Sequence, residues 1–491
     1  MSERDDVGQL REHKLAELTS LGLPVTPNRY GSVRHADEIQ SHFEALAGQR
    51  VRVAGRLMRV RLMGKASFAH IQDVSGQLQL YFKRDDLGET KYEYFKLLDL
   101  GDVIGAEGTV FKTRTGEVSI HVDDLVLLSK AFAPLPEKFH GLSDVETRYR
   151  QRYLDLIANE ESRRIVLVRS AVVRSLRNFL DNRGFIEVET PIMQPLYGGA
   201  AAKPFVTHYS ALDMDVYLRI ATELYLKRLI VGGLERVYEI GKDFRNEGFS
   251  RKHSPEFTMC ELYQAYADYA DIMHLTENLV ACIAQDVLSM RVVRYGDDEI
   301  NLAPPWRRLT IRDALIQYAE LDITEFPTAE TMRSAAAAHG VEADDDATRG
   351  QVVEKLISEL VEPKLIQPTF LMDYPIDFPG SLLAKRKQDD PDLTERFEAY
   401  AAGMELGNAF TELNDPDDQR RRMEEAVSES DGARLEVDHD FLLALEHGMP
   451  PTGGLGFGVD RLVMLLTNAQ QVRETILFPL LRRRGGTDAQ P

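Results

Sequence analysis

Cysteine is scarce in this 491-residue chain, which contains only Cys260 and Cys282. Neither belongs to a CxxC pair, which argues against a zinc site and a disulfide framework. The chain also lacks an apolar run of about 18 residues, the length that a membrane span requires. The charged N-terminal segment has no apolar core of a secretion signal. We therefore expect a cytoplasmic protein without a membrane span.

Positive charge is in deficit as well, because 59 Lys and Arg residues face 79 Asp and Glu residues, giving a formal net charge of -20. Such a balance disfavours nonspecific binding to nucleic acid. A specific RNA partner stays open, because phosphate contacts depend on local basic patches. With 43% hydrophobic and 28% charged residues, the composition is that of a globular protein.

The order of segments predicts several folding units, as the length of the chain requires. Residues 1–45 are charged and carry leucines at roughly helical spacing, which predicts a helical lead-in. Residues 46–135 hold five short β-rich segments, the pattern of a small closed barrel such as an OB-fold. Residues 136–482 predict a large domain of helices and strands, and the tail 483–491 is predicted to be disordered.

A long amphipathic helix over residues 162–182 opens the large domain, and Gly184 ends it. A strand is predicted to follow and to stop at Pro191. The segment from about 310 to 365 is predicted to be helical and polar, with AAAAHGVEADDD as a loop. The apolar stripe of the long helix consists of Ile165, Val168, Val172, Leu176 and Phe179.

Two β-type runs around a polar, basic loop predict a hairpin over residues 237–263. Side chains alternate along a strand with a period of two. A guanidinium binds phosphate or carboxylate, and an aromatic ring can stack on a base, although a solvated charged hairpin has the same pattern. The side chains predicted to share a face are Arg245 with Glu247 on the first strand, and Phe257, Glu261 and Tyr263 on the second.

A second hairpin is predicted over residues 396–415, where Glu398 and Glu405 supply two carboxylates. Glu405 is an odd number of residues from Asn408, so in a regular strand its side chain would point to the opposite face. A bulge at Gly407 could turn it to the same face as Asn408. Magnesium favours few carboxylates together with substrate phosphates, although acids on an edge strand would look the same. The side chains predicted to share a face are Asn408, Phe410 and Glu412.

Residues 450–468 join a glycine-rich run to the start of an apolar helix, where Asp460 and Arg461 lie. Glycines let the backbone approach another group closely, and helix starts bind anions. The run contains no GxxxxGK[ST] string and is therefore not a P-loop. By itself it would indicate only a turn.

In this order, the three segments resemble the signature motifs of the class II aminoacyl-tRNA synthetases, and the class I strings HIGH and KMSKS do not occur. The strings MGKASF, RYRQRYLDLI, GGAAAKPF and ELGNAFTELND resemble the lysyl branch of the aspartyl, asparaginyl and lysyl group. The resemblance runs from about residue 45 to residue 480. It implies an α+β fold, with an OB-fold β-barrel followed by a catalytic domain built on an antiparallel β-sheet flanked by helices.

The resemblance implies that ATP and L-lysine are substrates and that tRNA(Lys) is the acceptor. Arg245 would hold the α-phosphate and the lysine carboxylate, and with Arg461 would stabilise charge during the reaction. Adenine would stack on Phe257. The other contacts that the resemblance implies are Glu247, His253 and Arg461 for ATP, and Glu398 and Glu405 for up to three magnesium ions.

Lysine selection requires acceptors around the ε-ammonium, a point charge with three donors. The family positions for this group match Glu261, Tyr263 and Glu412, although a single glutamate could instead form a structural ion pair. A pocket that pairs a buried charge rejects uncharged analogues strongly. The rest of the implied lysine site is Glu223 at the α-amino group, with Arg245, Gly199, Asn408 and Phe410.

The same resemblance implies a homodimer, because the long helix and the strand to Pro191 match the family's dimer motif and the apolar stripe would need a partner surface. Two positions depart from the family. Cys260 replaces a methionine-like residue, and the loop 378–390 looks altered in length, which could change pocket closure. The anticodon readers implied in the barrel are Phe68, Gln79 and Glu117, which could otherwise be ordinary barrel surface.

The implied reaction has two steps. The lysine carboxylate attacks the α-phosphate of ATP, giving lysyl-adenylate and pyrophosphate, and the terminal ribose hydroxyl of tRNA then attacks the activated carbonyl. Alternatives are a paralogue that attaches lysine or a β-amino acid to a protein, and a non-catalytic RNA-binding protein. The barrel argues against the first, and the intact Arg245, Glu398, Glu405 and Arg461 argue against the second. An aspartyl or asparaginyl enzyme would need a cation where this pocket has acids.

Overall fold

The computed structural model describes residues 6–64, 66–136, 142, 144–200, 202–248, 250–429 and 436–482. The chain divides into two compact units, Met1–Ser143 and Asp144–Pro491. The tail that the sequence predicts to be disordered, 483–491, lies outside the described residues. Within the described ranges, no helix is both long enough and apolar enough to cross a membrane.

The first unit contains a closed five-stranded barrel, which confirms the predicted OB-fold. Its strands are β1 (Arg50–Met63), β2 (Ala66–Gln72), β3 (Gln77–Lys83), β4 (Val103–Lys112) and β5 (Val118–Ser129). They close in the order β1-β2-β3-β5-β4, and the β3–β5 pair is parallel while the other pairs are antiparallel. Side chains alternate between interior and surface, so Ala69 and Ile71 of β2 are buried in the core.

Short helices surround this barrel. The leucine spacing correctly predicts a helix at the start of the described chain, and Leu18 packs in the barrel core. Leu10, by contrast, is 57% exposed, so the predicted leucine face is only partly a packing face. The helices are α1 (Asp6–Ser20), α2 (Ala36–Ser41), α3 (Phe43–Leu46), α4 (Arg84–Leu87) and α5 (Glu89–Lys96).

An eight-stranded sheet forms the centre of the second unit. Its strands are β6 (Ile186–Glu187), β10 (Arg236–Phe244), β11 (Glu256–Ala265), β14 (Arg307–Thr310), β15 (Thr369–Pro375), β16 (Leu393–Ala401), β17 (Met404–Thr411) and β18 (Thr452–Gly458). The order is β14-β15-β16-β17-β18-β11-β10-β6. Only the two edge pairs, β14–β15 and β10–β6, are parallel, which confirms an α+β domain on a mainly antiparallel sheet.

Two small sheets flank the large one. The first has the order β7-β9-β8 and consists of β7 (Met193–Gln194), β8 (Phe205–Tyr209) and β9 (Met214–Leu218). The second pairs β12 (Val292–Tyr295) with β13 (Asp298–Asn301). The strand predicted to run to Pro191 is wrong in length, because β6 ends at Glu187 and only Val188 makes a further backbone hydrogen bond to β10.

Helices cover the sheet and connect its strands. They are α6 (Val145–Arg150), α7 (Arg152–Ala158), α8 (Glu160–Asp181), α9 (Glu223–Val231), α10 (Tyr269–Leu288), α11 (Ile311–Ala319), α12 (Ala329–Ala338), α13 (Arg349–Leu356), α14 (Pro416–Glu429), α15 (His439–Glu446), α16 (Val459–Thr467) and α17 (Val472–Thr475). A π-helical turn spans Ile357–Val361, and 3₁₀ turns span Ile323–Glu325 and Glu362–Lys364.

The apolar stripe of α8 is buried within its own chain. All five of its predicted residues belong to the main hydrophobic core, together with Leu262 of β11 and Phe457 of β18. The expectation that this stripe needs a partner surface is therefore wrong, since the sheet of the same chain already covers it.

The segment between about 310 and 365 is helical, as predicted, but it is not polar throughout. Its helices α11–α13 enclose a second apolar cluster that includes Leu315, Met332 and Val352. The alanine run predicted as a loop also differs, because α12 extends to Ala338 and only the residues after it form a loop. Alanine favours a helix, and here it supplies part of the buried face.

Candidate active site

A cavity of about 1050 Å³ opens on the face of the large sheet formed by β11, β17 and β18. Every residue that the sequence predicted for the catalytic domain lines this cavity. They are Gly199, Glu223, Arg245, Glu247, His253, Phe257, Glu261, Tyr263, Glu398, Glu405, Asn408, Phe410, Glu412 and Arg461.

The β10–β11 hairpin supplies the centre of the cavity. Phe257, Glu261 and Tyr263 alternate on β11 and face the cavity, as predicted. The parity argument for Arg245 and Glu247 is wrong, because β10 ends at Phe244 and both residues lie in the following loop. Both side chains line the cavity because the loop runs along it, and not because they alternate on a strand.

The Arg245 guanidinium lies over the Phe257 ring, with 5.1 Å between its central carbon and the ring centre. Its Nε donates to the backbone oxygen of Ile220 at 3.4 Å. Within the described residues, no carboxylate forms an ion pair with Arg245. The guanidinium is thus available to an anionic ligand, for which it offers two parallel N–H donors.

A second cationic position lies at the start of α16. Arg461 Nη1 donates to Glu405 Oε2 at 2.9 Å, and Nη2 lies 3.3 Å from His253 Nε2. Burial and the Arg461 guanidinium lower the pKa of His253, so its imidazole is neutral at pH 7. His253 therefore contributes a hydrogen-bonding ring to this end of the cavity, and Arg461 contributes the charge.

The β16–β17 hairpin brings two carboxylates to the same region. Glu398 pairs directly with Asn408 across the strands. The register then slips, so that residues 405 to 407 face only Ala399 and Tyr400, which confirms the predicted bulge and turns Glu405 into the cavity. Burial alone would raise the pKa of Glu405, but the Arg461 guanidinium outweighs it and holds the pKa below its usual value.

Glu398 is held by its own strand. Tyr400 Oη donates to Glu398 Oε2 at 2.6 Å, and Arg396 Nη2 donates to Oε1 at 2.7 Å. Within the described ranges, no group of three or more His, Cys, Asp or Glu side chains could hold a metal ion. Glu398 and Glu405 alone would thus be incomplete, and a divalent cation here would need oxygens from a ligand.

Acids gather at the opposite end of the cavity. Glu223, Glu261 and Glu412 are all buried there around Tyr263, whose hydroxyl donates to Glu261 Oε2 at 3.4 Å. Burial raises the pKa of Glu261 to about 8, and the charges of Asp243 and Glu223 add to the shift. A cation that enters this end would therefore be paired and would displace protons.

Glu412 follows β17 directly. Burial raises its pKa to about 8, and the ammonium of Lys227 opposes the shift. Its position depends on Gly454 of the facing strand, since a Cβ atom there would lie 2.0 Å from Oε1 of Glu412 and 2.5 Å from the Tyr263 ring. The glycine-rich run on β18 therefore makes room for the acid cluster, as the sequence suggested in general terms.

Three further predicted residues complete this wall of the cavity. Gly199 has a φ of +86°, and a Cβ there would lie 3.1 Å from the Cβ of Ala221. Asn408 Oδ1 accepts a hydrogen bond from Arg396 Nε at 3.2 Å, and Phe410 follows it on the same face of β17. All three residues line the cavity.

Lys227 is a residue of the site that the sequence analysis missed. Its side chain is fully buried, and Nζ lies 2.5 Å from Glu223 Oε1 and 2.5 Å from Glu412 Oε2. The available signal was the spacing of Glu223 and Lys227, four residues apart on α9, which is the spacing of a helical ion pair.

Arg396 is a second missed residue, and it links the loop 378–390 to the cavity. Its buried guanidinium donates to the backbone oxygen of Pro379 at 2.8 Å as well as to Glu398 and Asn408. Arg396 is two residues from Glu398 on β16, so the two side chains lie on the same face of the strand. This spacing could have predicted Arg396 from the sequence.

In the barrel, Gln79 and Glu117 are joined by a hydrogen bond from Nε2 to Oε2 of 2.6 Å. Ser119 donates to the other end of the Gln79 amide at 2.7 Å, which fixes its orientation. Phe68 is half-buried beside Tyr81, with ring centres 5.1 Å apart. Phe68 and Gln79 thus lie on the paired strands β2 and β3, and Glu117 directly precedes β5.

Comparison with known proteins gives two family matches. Residues 144–482 match the family described as tRNA synthetases class II (D, K and N), and residues 51–128 match the OB-fold nucleic acid binding domain. The lysine–tRNA ligase of Moorella thermoacetica is 52% identical over 98% of this chain and 99% of its own length. That of Bacillus subtilis is 49% identical over 98% of each chain, and that of Pelotomaculum thermopropionicum is 52% identical over 98% of this chain and 96% of its own.

Proposed function

The chain belongs to the class II tRNA synthetases of the D, K and N group, and we propose that it is a lysine–tRNA ligase, which activates L-lysine with ATP and transfers it to the 3′ end of tRNA(Lys). The main support for lysine as the substrate is the cluster of Glu223, Glu261 and Glu412 at one end of the cavity. An ammonium group is the ligand that buried carboxylates pair with, whereas an aspartate or asparagine side chain would bring no positive charge.

Arg245 occupies the position between the two ends, where it would hold the lysine carboxylate against the α-phosphate of ATP. A carboxylate oxygen of lysine attacks the α-phosphorus, and the bond from that phosphorus to the bridging oxygen breaks, so that pyrophosphate leaves with its electron pair. The guanidinium stabilises the charge that develops on the phosphoryl oxygens. Because Arg245 has no carboxylate partner among the described residues, it can serve both anions.

Phe257 supplies the stacking face for adenine, and Glu247 lines the same part of the cavity. His253 and Arg461 lie together where the outer phosphates would extend, and the ion pair with Glu405 fixes the direction of Arg461. A neutral His253 supports Arg461 without adding charge, since its Nε2 accepts from Arg461 Nη2 at 3.3 Å and its other ring nitrogen is 2.8 Å from Ser250 Oγ.

Magnesium fits the chemistry of Glu398 and Glu405, because both are carboxylates that line the phosphate end of the cavity. When bound, the metal would neutralise part of the charge on the ATP phosphates. Glu398 and Glu405 would hold it together with phosphate oxygens, as magnesium prefers. Arg461 and Tyr400 keep these two carboxylates in place before the metal arrives.

The second step requires tRNA. Its terminal ribose hydroxyl attacks the carbonyl carbon of lysyl-adenylate, and the bond to the phosphate oxygen breaks, releasing AMP. Phe68, Gln79 and Glu117 of the barrel would read the anticodon, by stacking on an unpaired base and by hydrogen bonds to base edges. The Gln79 amide is suited to this because Ser119 and Glu117 fix its orientation.

We also propose that the protein is a cytoplasmic homodimer. The support for the dimer comes from residues other than the apolar stripe of α8. Large apolar side chains are exposed around the small sheet β7-β9-β8, where Met193 is 62% and Leu212 is 64% exposed. Others nearby in sequence are Ile186, Ile192, Val206 and Tyr209. Soluble monomers seldom expose such a concentration of apolar side chains, which supports a second copy as the cover.

The proposal is tested by charging tRNA(Lys) transcripts in vitro. With ATP and magnesium, the protein should attach radiolabelled lysine to tRNA(Lys) and leave tRNA(Asp) and tRNA(Asn) uncharged. Attachment of lysine or a β-amino acid to a protein acceptor, without charging of tRNA(Lys), would favour the paralogue instead. Binding of tRNA(Lys) with no charging at all would favour a non-catalytic RNA-binding protein.

A further inference from the structure

The acid cluster already contains one ammonium group. Lys227 Nζ bridges Glu223 and Glu412, at 2.5 Å from an oxygen of each, and its side chain has no exposed surface. Both carboxylates line the cavity, whereas Lys227 lies behind them and does not. Lys227 therefore joins the carboxylate assigned to the α-amino group to one assigned to the ε-ammonium.

The charges at this end balance when lysine is bound. Three carboxylates, Glu223, Glu261 and Glu412, carry three negative charges when ionised. Lys227 neutralises one of them, and the two ammonium groups of the substrate neutralise the other two. The lysine carboxylate is matched separately by Arg245. Burying a charge is unfavourable unless it is paired, so this balance matters in a buried pocket.

We propose that Lys227 is a positioning residue for substrate binding: it favours the ionised forms of Glu223 and Glu412 and fixes their positions, so that the cluster can present two net negative charges when the two ammonium groups of lysine bind. The inference rests on the proposed function, since it assumes that lysine is the substrate. Lys227 acts through the two carboxylates and does not touch the substrate itself.

Protons provide the means of testing this role. The charged and titratable groups around the cluster are Glu223 and Lys227 on α9, Asp243 on β10 with its ion-pair partner Arg219, Arg245 after β10, Glu261 and Tyr263 on β11, and Glu412 after β17. Burial raises the pKa of Glu261 and of Glu412 to about 8 in the free pocket. Binding two ammonium groups lowers these pKa values, so lysine binding releases protons near neutral pH.

Removing Lys227 takes away the cation that opposes the rise in the pKa of Glu412, so that pKa rises further. Lys227→Met should therefore bind lysine at least about tenfold more weakly at pH 7, a change of about 1.4 kcal/mol. At pH 8.5 it should also release more protons per bound lysine than the wild type, because Glu412 with a pKa of about 8 is mostly ionised there in the wild type, whereas a higher pKa leaves more of it protonated in the free variant. Raising the pH to 8.5 should restore part of the lost affinity, because the carboxyl groups are then partly deprotonated before lysine binds.

The measurement is isothermal titration calorimetry of lysine at pH 7.0 and 8.5, in buffers of different ionisation enthalpy, which counts the protons released. The α-amino group of lysine itself titrates in the same way in the experiments with the wild type and with each variant. Its contribution therefore cancels in the ratio of variant to wild-type Kd. Arg228→Met is the matched control, since it removes a cation of the same helix that pairs with Asp438 and Asp440. Its proton release should equal that of the wild type.

If Lys227→Met does not fold, Lys227→Gln carries the same test, because its amide keeps N–H donors and lacks the charge. Lysine affinity and proton release equal to the wild type would overturn the inference. Weaker lysine binding at both pH values with an unchanged proton count would also overturn it, as would failure of both Lys227 variants to fold while Arg228→Met folds. A wild-type protein that does not bind lysine would instead refute the proposed function itself.

Discussion

The central carbon of the Arg245 guanidinium lies 5.1 Å from the centre of the Phe257 ring. This stacking places the cation proposed for the α-phosphate directly beside the ring proposed for adenine. The two groups come from different parts of the hairpin, since Phe257 is on β11 and Arg245 follows β10. A nucleotide bound here would have its base and its reacting phosphate held by neighbouring side chains.

Phe257→Ala should weaken ATP binding. Stacking of a base on an aromatic ring contributes about 1–3 kcal/mol, which corresponds to a rise of about 5- to 150-fold in the KM for ATP. The KM for lysine should stay within about threefold, because the acid cluster is not changed. Steady-state pyrophosphate exchange measures both constants. Phe257→Tyr retains a ring and serves as the control, and an ATP KM unchanged in Phe257→Ala would contradict the stacking role.

Strand alternation predicted much of this site. Phe257, Glu261 and Tyr263 share a face because β11 is a regular strand throughout their span. The same argument failed for Arg245 and Glu247, because β10 ends one residue before Arg245 and parity has no meaning in a loop. The resemblance of the chain to a family, rather than the strand period, was what placed these two residues in the cavity.

Two other features could not be predicted from the sequence pattern. The apolar stripe of α8 is the same whether the covering surface belongs to the same chain or to another, and only the folded sheet shows that Leu262 and Phe457 cover it. Lys227 was missed because its two partners, Glu223 and Glu412, are 189 residues apart in sequence (412 minus 223) and meet only in three dimensions.

Glu412→Gln should reduce the affinity for lysine. The variant keeps the size of the side chain and one acceptor but removes the negative charge, a loss that typically costs about 2–5 kcal/mol. The KM for lysine should therefore rise by a factor of tens to thousands. The KM for ATP should change little, because Phe257, His253 and Arg461 lie at the other end of the cavity.

The structure adds a reason why this variant should remain folded. Lys227 keeps its ion pair with Glu223 when Glu412 loses its charge, so no buried cation is left without a partner. The melting temperature, measured beside the exchange kinetics, separates the two possible roles of Glu412. A stable variant with unchanged dependence on lysine would refute its place in the lysine site, and a joint loss of stability and of both affinities would indicate a structural ion pair.

Phe68→Ala should weaken aminoacylation through tRNA alone. The loss of stacking on an anticodon base should raise the KM for tRNA(Lys) by about 5- to 150-fold, since such stacking contributes about 1–3 kcal/mol. Lysine-dependent pyrophosphate exchange needs no tRNA and should remain at the wild-type rate. Phe68→Tyr, with its ring retained, is the control. A fall in exchange as large as the fall in aminoacylation would exclude an anticodon role.

Light scattering at micromolar concentration should give about twice the chain mass of 55.5 kDa. Met193→Asp combined with Leu212→Asp should shift the protein toward the monomer, because both side chains are exposed and apolar in the single chain. Leu10→Asp, a similarly exposed apolar position in the first unit, is the control and should not change the mass. A stable, active wild-type monomer would contradict the homodimer.

Amino-acid-dependent exchange between ATP and pyrophosphate tests the central claim most directly, because it reports the first chemical step without tRNA. The wild-type protein should incorporate labelled pyrophosphate into ATP when lysine is present, and barely above background with aspartate or asparagine. This result is expected because Glu223, Glu261 and Glu412 surround the place of the substrate's ammonium groups, while Arg245 meets its carboxylate. Stimulation by aspartate equal to that by lysine would contradict the claim.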